Sequence, residues 1–205
     1  MWNWSENQIK LVMLRHGATV SNKEHRYVGR MDESLSLESE QLLKTERHKY
    51  PKIDYIFSSP MKRCVETAKI LYPNQKIITI QEWEEMNFGD FEGKNYMDLK
   101  ENEYYQKWID SNGTLPFPNG ESREAFIERC KKGFYKMLFQ LKELQPRNNS
   151  ITVGLILHGG TIMSLLSTFY GGEYFEYQVA NAQGYICILK EQQGYFQIVD
   201  IQKLK

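Results

Sequence analysis

Net charge is missing from this chain: its 205 residues set 26 Lys and Arg against 26 Asp and Glu. A balanced chain has no global field to draw it to nucleic acid or to an anionic membrane, so any basic site must be local. Long apolar runs are missing too, and none approaches the length that a bilayer-spanning helix needs. The opening residues, MWNWSENQIK, hold no apolar core of a secretory signal. Cysteine is scarce. Cys64, Cys130 and Cys187 are odd in number and far apart, which predicts buried free thiols and a reducing, cytoplasmic compartment. No Cys/His cluster has the spacing of a zinc site, and there are only four histidines, so neither a metal nor a cofactor is expected. Internal repeats, low-complexity tracts and interdomain linkers are absent. With 41% apolar and 25% charged residues, residues 1–205 are expected to form a single domain around one substantial core.

What is there is an alternation. Short apolar runs at 9–15, 53–59, 76–80, 151–157, 184–190 and 195–201 are bounded by polar or turn residues, as buried strands are. Helical patterns lie between them. Ser36 is placed to cap a helix reaching about Tyr50, with Leu37, Gln41 and Lys44 at helical spacing. Ser59-Pro60 reads as an N-cap followed by proline at the first helical position, and that helix ends before Pro73. Residues 122–144 carry an apolar stripe of Phe126, Ile127, Cys130, Phe134, Met137, Leu138 and Leu141, and a further helix is expected after Gly160. The pattern predicts an α/β three-layer sandwich: a mainly parallel sheet of about six strands, helices on both faces, and a terminal hairpin around 191–194. Residues 86–121, rich in Tyr, Trp, Asn, Gly and Pro, fit no regular element and read as a lid-like insertion. Its aromatic residues Tyr96, Tyr104, Tyr105, Trp108 and Phe117 fit either core packing or a wall that stacks on a substrate.

Chemically capable residues gather where the strands should end, which is where open α/β sheets bind ligands. The first strand delivers Arg15, His16 and Gly17, with Asn22 and Arg26 in the loop beyond. The second delivers Ser58 and Ser59, with Arg63 one turn into the next helix. Glu82, Glu84 and Glu85 follow the third, and His158, Gly159 and Gly160 follow the fourth. Phosphate is the ligand that uses such a set. Guanidinium forks match its oxygens and stay charged, and N–H groups at helix starts add donors. Phosphoryl transfer asks mainly for fixed positive charge, and a neutral histidine nitrogen is an able nucleophile near pH 7. A leaving alkoxide needs a proton from a carboxyl group kept protonated by burial or by anionic neighbours, and Glu85 is the candidate. Glu82, Glu84 and Glu92 read as solvated faces, and His25 and His48 as solvated histidines.

The segments LRHGATVSN, SSPMKRCVETA, EMNFGDFEG, NGES and HGGTI resemble, in this order, the motifs of the histidine phosphatase (phosphoglycerate mutase-like) superfamily. The resemblance covers nearly the whole chain, from about residue 10 to 190. It implies that His16 is the phosphorylated nucleophile, that Arg15, Arg63 and His158 form the phosphate pocket, that Asn22 touches phosphate and that Glu85 donates the proton. Gly17, Gly159 and Arg26 are expected beside the substrate. Within the superfamily, the EMNFGDFEG motif, the aromatic stretch after it and the PNGES segment look most like α-ribazole phosphatases, which act in cobalamin assembly. Ala18 and Met163 depart from the family pattern, where an acidic residue and an arginine are common. The expected partner is a small-molecule phosphate ester, with no nucleic acid and no membrane, and the expected assembly is a monomer or homodimer. The competing readings are a cofactor-dependent phosphoglycerate mutase and a non-catalytic phosphate-binding module. Residues 104–121 hold Lys107 as their only basic residue, which disfavours a mutase; His16 and Glu85 are both present, which disfavours a binding module.

Overall fold

A computed structural model describes residues 8–146 and 150–204, so the reading of the N-terminal residues 1–7 lies outside the described residues. In chain order the elements are β1 (Gln8–Arg15), α1 (Val20–Lys23), α2 (Leu37–Glu46), β2 (Tyr55–Ser58), α3 (Lys62–Leu71), β3 (Ile77–Thr79), α4 (Tyr96–Leu99), α5 (Glu103–Asp110), α6 (Arg123–Glu143), β4 (Ser150–Leu157), α7 (Gly159–Phe169), β5 (Gly184–Gln192) and β6 (Tyr195–Leu204). The six strands form one sheet in the order β3-β2-β4-β1-β5-β6. β3, β2, β4 and β1 run parallel; β5 is antiparallel to β1 and β6 to β5. The last two strands are joined through Gln193 and Gly194, both at positive φ, as a two-residue hairpin turn requires.

Strand periodicity of two divides the core between the two faces. Leu11 and Met13 of β1, Phe57 of β2 and Val153, Leu155 and Leu157 of β4 enter the larger core, which α6 and α7 cover with Phe126, Phe134 and Leu165. Val12, Leu14, Ile56 and Ile156 point the other way, into a smaller core closed by Leu43 of α2 and by Cys64 and Ala68 of α3. This is the α/β layering expected from the sequence. No helix among the described residues is long and apolar enough to cross a membrane. All three cysteines are free and buried, and burial pushes the Cys64 thiol up to about 12, so it stays protonated and unreactive.

Four local expectations need correction. α3 does not start at Ser59-Pro60: it begins at Lys62, with Met61 as an N-cap that makes no side-chain bond. The Ser59 hydroxyl faces His158 Nε2 at 2.8 Å, and satisfying a fully buried imidazole outweighs capping a helix. In α2 the Ser36 cap is as expected, its oxygen accepting from the Ser39 N–H, but Leu37 is 79% exposed and Leu43 is the residue that turns inward. Glu92 is no solvated face: its carboxylate accepts from the N–H groups of Phe88, Gly29 and Arg30, fixing the 28–30 loop. Residues 86–121 are more regular than their composition suggests, since α4 and α5 form there with Asn95 and Asn102 as N-caps. Tyr105 and Phe117 are buried in the larger core, whereas Tyr96 is mostly exposed.

Candidate active site

Strand register builds the site. Arg15 lies level with Leu157 on β4, and Ser58 of β2 lies level with Ile156. The residues after these strands therefore emerge side by side at the carboxyl edge of the sheet. The His16 N–H donates to the Leu157 carbonyl at 3.0 Å, and the Ser59 N–H donates to the Ile156 carbonyl at 3.0 Å. His16 and His158 end with their ring centroids 5.1 Å apart and the rings edge to face. Both are buried.

The hydrogen bonds settle which nitrogen of His16 is free. Nδ1 lies 2.7 Å from the carbonyl oxygen of Gly17, which can only accept, so Nδ1 carries the proton and Nε2 keeps its lone pair in the neutral ring. Burial, followed by the charges of Arg63 and Arg15, holds the His16 imidazolium well below its ordinary range. The ring is therefore neutral at pH 7. His158 is held low by burial, with Arg63 and His16 adding to it. Burial raises the Glu85 carboxyl, against the opposing pull of the Met86 N–H and of Arg63, Arg15 and Arg129. Glu85 Oε2 sits 4.0 Å from His158 Nδ1. One cause runs through all three shifts: burial disfavours the charged form of each, lowering the two imidazoles and raising the carboxyl.

Two arginines are held in an unusual way. Arg15 donates from Nη1 to the Val179 carbonyl, and Arg63 donates to the carbonyls of Met31, Gly29 and Val28, yet the Nε of each is buried without a partner among the described residues. An unpaired buried donor costs about 1–3 kcal/mol and more when charged. Both guanidiniums act on His16 and Glu85, so an anion placed among them would offset that cost. A cavity of about 360 Å³ opens there, lined at this end by Arg15, His16, Asn22, Glu85, Gly159 and Gly160. Gly160 admits the acid: a Cβ at that position would lie 2.8 Å from Glu85 Oε1 and 3.0 Å from the Phe126 ring. Farther out the wall is aromatic, with Tyr27, Phe88, Trp108 and Phe117. The aromatic stretch thus serves as core through Tyr105 and as cavity wall through Trp108 and Phe117.

The sequence-predicted residues do not all meet the cavity. Arg15, His16, Asn22, Arg26, Glu85 and Gly159 line it, whereas Arg63 and His158 are fully buried and do not. Asn22 Oδ1 accepts from the Thr19 N–H and from Asn181 Nδ2, which leaves the Asn22 Nδ2 donors for a ligand. Arg26 is tied to Glu24, Asp98 and the Gly93 carbonyl. Gly17 is a packing position: a Cβ there would come within 2.6 Å of Ser39 Oγ, and its N–H donates to Thr67. Sequence reasoning missed Asn181, which bonds the His16 carbonyl, and three residues of the cavity wall, Arg123, Tyr174 and Phe175, of which Tyr174 donates to the Gly160 carbonyl at 3.4 Å. Only Arg123 had a signal: a cation at the first position of a helix opposes the helix dipole and asks for a reason. Met163, one of the departures from the family pattern, is also in the wall. Among the described residues no group of three or more His, Cys, Asp or Glu is arranged to hold a metal.

The fold and this site define an enzyme acting on phosphate esters. The histidine phosphatase superfamily (branch 1) pattern matches residues 11–203, and the chain belongs to that family. The chain is 29% identical over 171 residues to the adenosylcobalamin/alpha-ribazole phosphatase of Escherichia coli strain K12, covering 80% of each protein. It is 30% identical over 191 residues to a 2,3-bisphosphoglycerate-dependent phosphoglycerate mutase of Chlamydia abortus, covering 76% of this chain and 82% of the mutase. Among solved structures, a phosphoserine phosphatase mutant from Entamoeba histolytica in complex with phosphoserine superposes with a TM-score of 0.73 at 22% identity, covering 94% of this chain and 96% of that one.

Proposed function

We propose that the protein hydrolyses phosphate monoesters through a phosphohistidine on His16, with Glu85 as general acid and base. The observation that carries the reading is the pair of orphaned guanidinium Nε–H groups beside a histidine whose Nδ1–H is committed to Gly17. His16 Nε2 attacks phosphorus, the P–O bond to the alcohol breaks, and Glu85 gives its proton to the leaving oxygen. Water then loses a proton to the Glu85 carboxylate and attacks phosphorus, breaking the P–N bond to release phosphate and neutral His16. Arg15 and Asn22, on the cavity wall, hold the phosphoryl oxygens; Arg63 and His158, buried behind His16, complete the phosphate pocket that the family resemblance implies, with Arg63 as its second positive charge. The domain spans residues 1–205, with 86–121 as the wall over the alcohol half. Because arginines supply the charge, activity is expected to survive EDTA, and vanadate to inhibit competitively. A strict requirement for added magnesium or zinc contradicts this reading.

For the alcohol half, the aromatic wall of Tyr27, Phe88, Trp108 and Phe117 suits a flat ring system, and α-ribazole 5′-phosphate is the specific substrate proposed. Trp108 has a buried indole N–H without a partner among the described residues, which suits an acceptor on that ring. One observation favours a second reading, an alcohol bearing a carboxylate such as phosphoserine or 3-phosphoglycerate. Lys107 is exposed and does not line the cavity, but Arg123 does, without a carboxylate partner among the described residues. Its contacts are the faces of Tyr174 and Phe175, at 5.6 and 5.8 Å, and a long bond to the Asn112 carbonyl. Comparing kcat/KM for α-ribazole 5′-phosphate, phosphoserine and 3-phosphoglycerate decides between them. Preference for the first supports the ring reading; preference for either carboxylated ester that Arg123→Met removes supports the second.

A further inference from the structure

Glu85 stands within a segment with little regular structure, residues 80–88, yet a general acid must be held to within a fraction of an ångström. Arg129, on the second turn of α6, makes three hydrogen bonds to that segment. Its Nη1 donates to the carbonyls of Glu82 at 2.9 Å and Glu84 at 2.8 Å, and its Nη2 reaches the Glu85 carbonyl at 3.3 Å. The other edge of the same guanidinium is gripped by Glu121, Nε to Oε1 at 2.9 Å and Nη2 to Oε2 at 2.7 Å, a fork-to-fork pair. Glu121 also ties the far side of the segment. Its N–H donates to the Asn87 carbonyl at 2.9 Å, and its carboxylate accepts from the Asn87 N–H at 3.3 Å. The pair is largely removed from solvent, with side-chain exposures of 22% and 14%.

We infer that Glu121 and Arg129 form a strut that positions Glu85 and balances the charge around its carboxyl. This rests on the reading of Glu85 as the acid. Neither residue is itself catalytic; both act through Glu85.

The charge balance follows from what faces Glu85. Arg15 from the end of β1, Arg63 and Cys64 from α3, His158 from the end of β4, Arg129 and Cys130 from α6 and Tyr174 from the 174–177 turn all act on it. His158 is neutral and the two thiols and Tyr174 are protonated, so the local field on Glu85 is set by three guanidiniums. Arg15 and Arg63 are reserved for phosphate. Arg129 is the cation that the protein neutralises with its own carboxylate, and Glu121 is that carboxylate.

Two variants separate positioning from charge, each measured as kcat/KM against pH with an alkyl phosphate and with p-nitrophenyl phosphate. Glu121→Gln is nearly isosteric and leaves the Arg129 charge uncompensated, which favours the ionised acid. The alkaline limb for the alkyl ester is expected to move to lower pH. Arg129→Lys keeps the charge but cannot span three carbonyls and a carboxylate. It is expected to slow the alkyl ester by about 10²-fold, the scale of an ångström's misplacement, and p-nitrophenyl phosphate by much less. An alkaline limb that stays in place in Glu121→Gln, or equal losses for both esters in Arg129→Lys, overturns the inference. Melting curves accompany both variants; should Arg129→Lys fail to fold, Glu121→Gln decides alone. A Glu85→Gln control distinguishes the two levels. If it too slows both esters equally, the acid role has failed; if it shows the leaving-group dependence and the strut variants do not, only the strut has.

Discussion

His16→Ala is expected to lose turnover by at least about 10⁴-fold on every phosphate ester, the scale seen when a covalent nucleophile is removed. No neighbour substitutes for it. His158 is committed to Ser59 through Nε2, and the Cys64 thiol, pushed up to about 12, holds its proton. The fold should survive. The ring's hydrogen bond to the adjacent Gly17 carbonyl is worth about 1 kcal/mol net, whereas the backbone bonds to Leu157, Ala182 and Asn181 do not involve the ring. Phosphate binding is expected to persist, because Arg15, Arg63 and Asn22 remain, so vanadate should still raise the melting temperature of the inactive variant. An unaltered rate in a folded His16→Ala protein contradicts the covalent route.

Glu85→Gln is expected to show the second largest effect, and one that depends on the leaving group. General acid catalysis contributes about 10²–10⁴-fold, and alkyl phosphates should lose an amount of that order. The phenolate of p-nitrophenyl phosphate departs without a proton, so its hydrolysis should suffer much less. The pH dependence follows from the two shifted groups. On the proposed route activity needs His16 unprotonated, and its lowered pKa keeps that condition met well below its ordinary range. It also needs Glu85 protonated, so the rate for alkyl esters falls as pH rises through the raised Glu85 pKa. Glu85→Gln has nothing to ionise there, and the part of the alkaline limb owed to Glu85 should vanish. Matched kcat/KM profiles for the two esters check this. Equal losses for both would remove Glu85 from the acid role.

The strand-end logic made much of this legible in the sequence. Short apolar runs announced the sheet, and the polar residues directly after them, His16 and His158, fell together because β1 and β4 pair in register. Such a residue needs no tertiary information beyond which strands are neighbours. Ser59 was misread because the local signal for a helix cap is real, and only the buried imidazole next to it shows where the hydroxyl goes. Glu92 looked solvated since an isolated Glu in a polar stretch carries no mark of the three N–H groups that fold back onto it. The interleaving of Tyr105 and Trp108 on α5, one in the core and one in the cavity wall, depends on how a short helix packs, which spacing alone leaves open. Arg129 carries no mark for the same reason, since it sits on α6 as an ordinary helix cation until the neighbours across the sequence are in place, and Arg123 shows only the faint sign of a cation opening a helix.

The central claim is that the phosphoryl group passes through His16. The most direct measurement is a rapid quench of the wild-type enzyme turning over a labelled phosphate ester, followed by mapping of the label by peptide mass spectrometry. The account predicts a stoichiometric phosphate on His16 that survives base and is lost in acid, forming before free phosphate appears. Turnover with no enzyme-bound phosphate at any time, or with the label on another side chain, would contradict it.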